Sequence, residues 1–141
     1  MLQDLRALSA VMQAARTIAI LGAKDKPGAP VDRVGRYLIQ AGYTVIPVHP
    51  KRKDVWGLPT YASLADIPDH VDIVNLFRAP QYCPDHAREV LALASQPSCF
   101  WMQSGIVSLE ARQLLQHTGM LVVEDRCLMV DHQQLLAGAG A

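Results

Sequence analysis

The 141-residue chain has no net charge, few aromatics and few cysteines. Its 13 Lys and Arg balance 13 Asp and Glu. It therefore lacks the basic excess of a bulk nucleic-acid binder. Only 18% of residues are charged and 50% are hydrophobic, which argues against disorder along the whole length. No apolar run approaches the ~18–20 residues of a membrane span. Residues 1–16 carry Asp4 and no cationic start ahead of an apolar stretch, which reads against a secretory leader. Cys83, Cys99 and Cys127 are odd in number and widely spaced, a pattern that fits a reducing compartment better than a disulfide framework. The expectation is one cytoplasmic domain whose partner is a small molecule, with neither nucleic acid nor membrane involved.

What is present is an alternation of apolar strands and amphipathic helices. Leu5, Leu8 and Met12 share one face of a helix over Leu2 to Ala15, with Asp4 in its first turn. The run Thr17 to Gly22 reads as a buried strand feeding a loop that ends at Pro30. Val34, Tyr37, Leu38 and Ala41 form the face of a helix over Val31 to Ala41, closed by Gly42. Further strands are expected at Tyr43 to Val48, Val71 to Phe77, Cys99 to Met102 and Met120 to Val123. Helices are expected at Gln81 to Ala94 and Ser108 to His117. Strands that are apolar throughout need a sheet covered on both faces. The order predicts an α/β fold: a Rossmann-like, doubly wound, mostly parallel five-stranded sheet in a single domain. The N-terminal helix (1–15) belongs to the same domain as residues 16–136, could cover a sheet edge or help form a homodimer, and the tail 137–141 is expected to fray.

Such sheets bind ligands beyond the carboxyl ends of their strands. In the first such loop, Gly22, Gly28 and two prolines precede a helix N-terminus, where backbone N–H groups and the helix dipole favour an anion. The loop is neither G-x-G-x-x-G nor a P-loop, so read alone it is equally an ordinary connection. The end of the second strand says more. A dinucleotide site places an acid there to bind ribose hydroxyls. Here the residues are Val48-His49-Pro50-Lys51-Arg52-Lys53, and no acid occurs from Arg33 through Lys53. That basic run suggests a nucleotide with an extra phosphate near its ribose, such as NADP or coenzyme A, although a solvated basic turn would look the same. The third strand ends in Phe77-Arg78-Ala79-Pro80, an aromatic wall and a cation. The alternative there is a core Phe77 with Arg78 paired to Asp85 or Asp72.

Taken together, Ile18-Ala-Ile-Leu-Gly22-Ala, Gly42-Tyr-x-Val-Ile-Pro-Val-His-Pro50, Tyr61-x-Ser-Leu-x-Asp-Ile-Pro68, Phe77-Arg78, Trp101-x-Gln-x-Gly-Ile106 and Asp125-Arg-Cys127 resemble the stand-alone CoA-binding domain family. That family in turn resembles the CoA-binding part of the succinyl-CoA synthetase α subunit. The resemblance runs from about Arg16 to His132. It implies coenzyme A or an acyl-CoA as the cofactor and no catalytic role for the domain alone. By position, Gly22, Ala23, Lys24 and the loop to Pro30, Val31 and Arg33 would meet the diphosphate. Pro47, Val48, His49, Pro50, Lys51 and Arg52 would hold the adenosine end, with Lys51 or Arg52 near the 3′-phosphate. Phe77, Arg78 and Pro80 would flank the adenine or the pantetheine arm, and Gln103, Ser104 and Gly105 would lie towards the thiol. Lys24 and His49 stand where the family often has Ser or Thr and Asn.

No catalytic constellation emerges. His49, His70, His86, His117 and His132 have no metal-ligand spacing, and neither do the cysteines. There is no G-x-S-x-G elbow. Cys99 reads as core. Cys127 beside Arg126 is the one thiol whose setting suggests reactivity, while Asp125 and Arg126 are expected to pair with each other or cap the last strand. The function expected is non-catalytic binding of coenzyme A or an acyl-CoA, as carrier or sensor. The alternative is a subunit of an acyl-CoA synthetase-like or NADP-dependent enzyme that needs a partner chain, and a docking nucleotide sensor ranks behind both.

Overall fold

The computed structural model describes residues 4–137. Strands β1 (Thr17–Leu21), β2 (Thr44–Val48), β3 (Ile73–Leu76), β4 (Cys99–Met102) and β5 (Leu121–Val123) form one sheet. Its order is β2-β1-β3-β4-β5, with every neighbouring pair parallel. Helices α1 (Leu5–Ala14), α2 (Pro30–Gln40), α3 (Cys83–Leu91), α4 (Leu109–Leu115) and α5 (Leu128–His132) cover it. The strands' continuous apolarity has a direct cause, because alternate side chains enter two different cores. Ile18, Ile20 and Trp101 join Leu8, Met12, Leu38 and Leu128 on the face of α1, α2 and α5. Ala19, Leu21, Phe100 and Met102 join Val90 and Leu115 on the face of α3 and α4. Each large apolar side chain fully buried this way contributes about 1.5–3 kcal/mol.

Several boundaries differ from the expectation, each for a local reason. Among the described residues α1 begins at Leu5, and Asp4 is its N-cap, accepting the Arg6 N–H at 2.9 Å. The third strand is Ile73–Leu76, shorter than Val71 to Phe77. Asp72 is instead a latch below the sheet, its carboxylate accepting the backbone N–H groups of Arg16 and Thr17 at 2.8 and 3.0 Å. Pro80–Tyr82 form a separate 3-10 turn, so α3 starts at Cys83. Ser108 caps α4 rather than belonging to it, accepting the Ala111 N–H. The sheet is parallel throughout, where a mostly parallel one was expected. Helix α5 and the closing turn Gln133–Ala137 were not foreseen at all. Residues 138–141, which carry most of the tail expected to fray, lie outside the described residues, as do residues 1–3. No described helix is long and apolar enough to cross a membrane.

The chain's direction of travel reverses between β1 and β3. From β1 it passes through α2 to β2 on one side, then crosses back to β3 and on to β4 and β5. The crevice above Leu21 and Leu76 is thus the topological switch point, where helices diverge and leave space.

Candidate functional site

A cleft of about 610 Å³ opens at that point, between the ends of β1, β3 and β4 and the starts of α2 and α5. Its floor depends on Gly22, which has φ +83°. A Cβ there would overlap the Phe77 carbonyl oxygen and lie 3.2 Å from the carbonyl carbon. Only glycine lets the end of β1 come this close to the end of β3. The Gly22 and Ala23 N–H groups both donate to the Val48 carbonyl, at 3.0 and 3.2 Å, so the turn is pinned to β2.

The cleft wall is cationic. Lys24, Arg33 and Arg78 line it, and no carboxylate does. In a chain of zero net charge, that is a local separation of charge aimed at an anion. Arg78 is held without spending its charge on an acid. Its Nε donates to His86 Nε2 at 3.3 Å, and its guanidinium lies 4.3 Å from the Tyr82 ring centroid. His86 in turn pairs through Nδ1 with Glu89 at 2.6 Å. The partners considered for Arg78 are engaged elsewhere: Asp85 holds Arg88, and Asp72 is the latch below the sheet.

Of the residues singled out in the sequence, Gly22, Lys24, Pro30, Val31 and Arg33 meet in this cleft from the β1–α2 side. Phe77, Arg78, Gln103 and Ser104 meet them from β3 and β4. Val48 and Pro50 line an adjoining cavity of about 210 Å³, which shares Gly22 and Arg78 with the first. The remaining seven line neither cavity. Ala23 is buried beneath the turn, and Pro47 is buried in β2 with its carbonyl accepting the Tyr61 N–H. The Gly105 N–H donates to Asp125 Oδ1 at 2.6 Å. Pro80 starts the exposed turn before α3. His49 closes its own loop, with Nδ1 accepting the N–H groups of Lys51 and Arg52 at 3.0 and 3.1 Å.

Lys51 and Arg52 are exposed, and Arg52 Nη1 lies 3.9 Å from Asp25 Oδ1 on the β1–α2 loop. With both side chains over 40% exposed, that pair ties the loops only weakly. Even so, the basic run shares a field with the cleft. Burial, then the charges of Arg52, Arg78, Lys24 and Lys51, push the His49 imidazole below its ordinary value. Four cations, two of them in the cleft wall, thus converge around one ring.

A family model for the CoA binding domain matches residues 16–133. The chain belongs to the CoA-binding domain family. The Bacillus subtilis protein YneT is 35% identical over 122 residues, 86% of this chain and 89% of its own length. The solved structure of cell-free ID.343 from Thermus thermophilus is 43% identical with a TM-score of 0.87, over 95% of this chain and 100% of that one. A shorter stretch of 77 residues is 29% identical to part of a trans-feruloyl-CoA synthase from an unknown prokaryotic organism, covering 53% of this chain and 11% of that protein.

In this CoA-binding domain the fourth wall of the cleft comes from α5, which sequence reasoning missed. Cys127, Met129 and Val130 line the cleft there, and Ile106 and Val34 add apolar surface. The available signal was the apolar triplet Leu128-Met129-Val130 just after β5. Asp125 and Arg126, expected to pair with each other or cap the strand, do not pair. Asp125 holds Gly105, and Arg126 grips Asp131 through Nε and Nη2 at 2.7 and 2.9 Å. Beneath this wall, buried Asn75 donates to Gln103 Oε1 at 3.2 Å, and the same oxygen accepts the Leu128 N–H at 3.3 Å. That network joins β3, β4 and α5. The other two thiols are buried. Burial raises Cys83 to about 11 and moves Cys99 up further, which keeps both protonated. Among the described residues no group of three His, Cys, Asp or Glu side chains could hold a metal ion.

Proposed function

We propose that the domain takes coenzyme A, or an acyl thioester of it, into the cleft and holds it without chemistry, as a carrier or sensor. The observation that carries this reading is the wall of Lys24, Arg33 and Arg78 with no carboxylate, over a floor where Gly22 lets the ends of β1 and β3 close up. The diphosphate fits against Lys24, Arg33 and the start of α2, where Pro30 occupies the first turn and takes up no donor. The adenosine end fits toward the adjoining cavity at Val48 and Pro50, which leaves the 3′-phosphate outermost, near Lys51 and Arg52. The arm then runs past Phe77 to Gln103 and Ser104. None of these groups is placed as a nucleophile with a base beside it.

Isothermal titration with coenzyme A, dephospho-CoA and NADP tests this reading. Coenzyme A binds, and dephospho-CoA binds about tenfold more weakly, ~1.4 kcal/mol, because the lost contacts come from solvent-exposed cations. Equal affinity for the two removes Lys51 and Arg52 from the site, and no heat with coenzyme A overturns the reading.

The likeness to part of a trans-feruloyl-CoA synthase favours a second reading, in which the domain works with a separate ligase chain. That reading predicts copurification with such a chain, and acyl-CoA formation only when the two are combined.

A further inference from the structure

We propose that His86 and Glu89 of α3 are a positioning pair that holds the Arg78 guanidinium end-on at the junction of the two cavities, where it grips the ligand's diphosphate. The proposal rests on the reading of the cleft as a coenzyme A site. Among the described residues, Gly22 and Arg78 are the two that line both the 610 Å³ cleft and the 210 Å³ cavity beside it. With adenosine in the smaller space and the arm in the larger, the diphosphate that links them crosses this junction. Gly22 has no side chain to offer there, so the cation at the crossing is Arg78.

The hydrogen bonds fix how that cation is held. A guanidinium only donates, so His86 Nε2, 3.3 Å from Arg78 Nε, is the accepting nitrogen of its ring. The imidazole proton then sits on Nδ1 and goes to Glu89 Oε1 at 2.6 Å. One tautomer is thus selected from both sides. The His86 side chain is 17% exposed, and it stands three residues before Glu89 on a helix seated on the sheet by buried Cys83, Ala87 and Val90. The pair is therefore presented from a fixed backbone.

This arrangement differs from an arginine–carboxylate pair. A carboxylate on Nε would cancel the charge that an anion is to meet. A neutral imidazole takes the same edge without cancelling it, and leaves the Glu89 charge one ring further away. Tyr82 covers a face of the guanidinium, 4.3 Å from ring centroid to Cζ. What remains is the end of the fork. Neither Nη of Arg78 donates to any described residue, and two such groups side by side match two oxygens of a phosphate. Because the guanidinium is already held, little rotamer freedom is left to lose when the anion arrives.

The test is calorimetry of coenzyme A and dephospho-CoA on the full chain and on four variants. Arg78→Met weakens coenzyme A about thirtyfold, the loss of a charge-assisted contact. His86→Leu weakens it about fivefold, because Arg78 keeps its charge and loses its aim. His86→Gln, whose amide can accept from Arg78 and donate to Glu89, stays within about twofold of the unaltered chain. Adding His86→Leu to Arg78→Met costs nothing more, since the histidine acts through the arginine. Dephospho-CoA loses the same factors, because it keeps the diphosphate. In the unaltered chain at pH 8, nitrogen NMR finds His86 Nε2 bare and Nδ1 protonated, a measurement that stands even if a variant fails to fold. Full affinity in His86→Leu, a further fivefold loss in the double variant, no rescue by glutamine, or a proton on Nε2 would each overturn the positioning pair. A loss confined to coenzyme A moves Arg78 to the 3′-phosphate and overturns the diphosphate contact. These outcomes leave the coenzyme A reading intact, whereas no binding of coenzyme A to the unaltered chain overturns that reading and the pair with it.

Discussion

Replacing Gly22 and Gly28 by alanine, one at a time, separates two costs that the β1–α2 loop combines. Both glycines have positive φ, +83° and +88°. Each alanine therefore pays about 1–2 kcal/mol for a left-handed backbone. At Gly28 nothing lies within 4 Å of the new Cβ, so that is the whole effect. At Gly22 the Cβ overlaps the Phe77 carbonyl, and the backbone on both sides is pinned. Phe77 N–H donates to the Leu21 carbonyl at 2.9 Å, and the Gly22 and Ala23 N–H groups hold Val48. Making room lengthens one or two of these bonds, at about 1 kcal/mol each. Gly22→Ala should thus cost about 3 kcal/mol against about 1 for Gly28→Ala. For a chain of this size that is a fall in Tm of roughly 9 °C against roughly 3 °C. Urea unfolding should show the same difference as a shift in midpoint at constant slope. If the two variants lose the same stability to within about 0.5 kcal/mol, the close approach of β1 to β3 is not what requires glycine at position 22.

Four further outcomes follow from the same geometry. His49 should titrate below 6.5 in the free protein, and a bound phosphorylated nucleotide should raise that value by neutralising the surrounding cations, so affinity grows as pH falls through the window just below 6.5; an NMR titration unchanged by saturating ligand refutes this. With His49 and His132 both held below the unfolded value, the unfolded chain protonates first, so stability is full above pH 6.5 and declines as pH drops beneath it. Gly35→Ala should drive the Trp56 ring from its seat, because a Cβ there overlaps the ring and would break the Trp56 Nε1–Asp32 hydrogen bond of 2.9 Å. About 2 kcal/mol should be lost with a red-shifted emission, and an unaltered spectrum would refute the displacement. Arg126→Met should cost about 2–3 kcal/mol by leaving Asp131, 4% exposed, without its partner, and adding Asp131→Leu should recover most of it in urea unfolding.

The strands were legible because every residue of β3 and β4, and all but the first of β1 and β2, is buried, so burial on both faces writes itself as an unbroken apolar run. The loops at their ends were legible for the same reason, since such a sheet fixes where its crevice opens. Helix α5 was not. Five residues are too few to show a period, and what holds it is tertiary: Gln103 on the Leu128 N–H, Trp101 on the Arg126 carbonyl, and Arg126 on Asp131. With α5 went Met129, Val130 and the placement of Cys127. The basic run after β2 was legible as charge but not as direction. His49 turns its Nδ1 onto its own loop, and that sends Lys51 and Arg52 outward.

Composition alone would not make this cleft attractive to an anion, because acids equal bases along the chain. What makes it so is where the acids are spent. Asp32 accepts from Trp56 and Arg36 on α2, and Asp72 binds backbone N–H groups below the sheet. Asp125 holds Gly105, and Asp131 holds Arg126. Each of these carboxylates is engaged by a donor that shapes the fold. Among the described ion pairs none involves Lys24, Arg33 or Arg78. The fold therefore uses its negative charge to build the walls and leaves its positive charge facing the space between them. An anion entering there meets cations whose charge is not already cancelled, and no reorganisation is needed to free them.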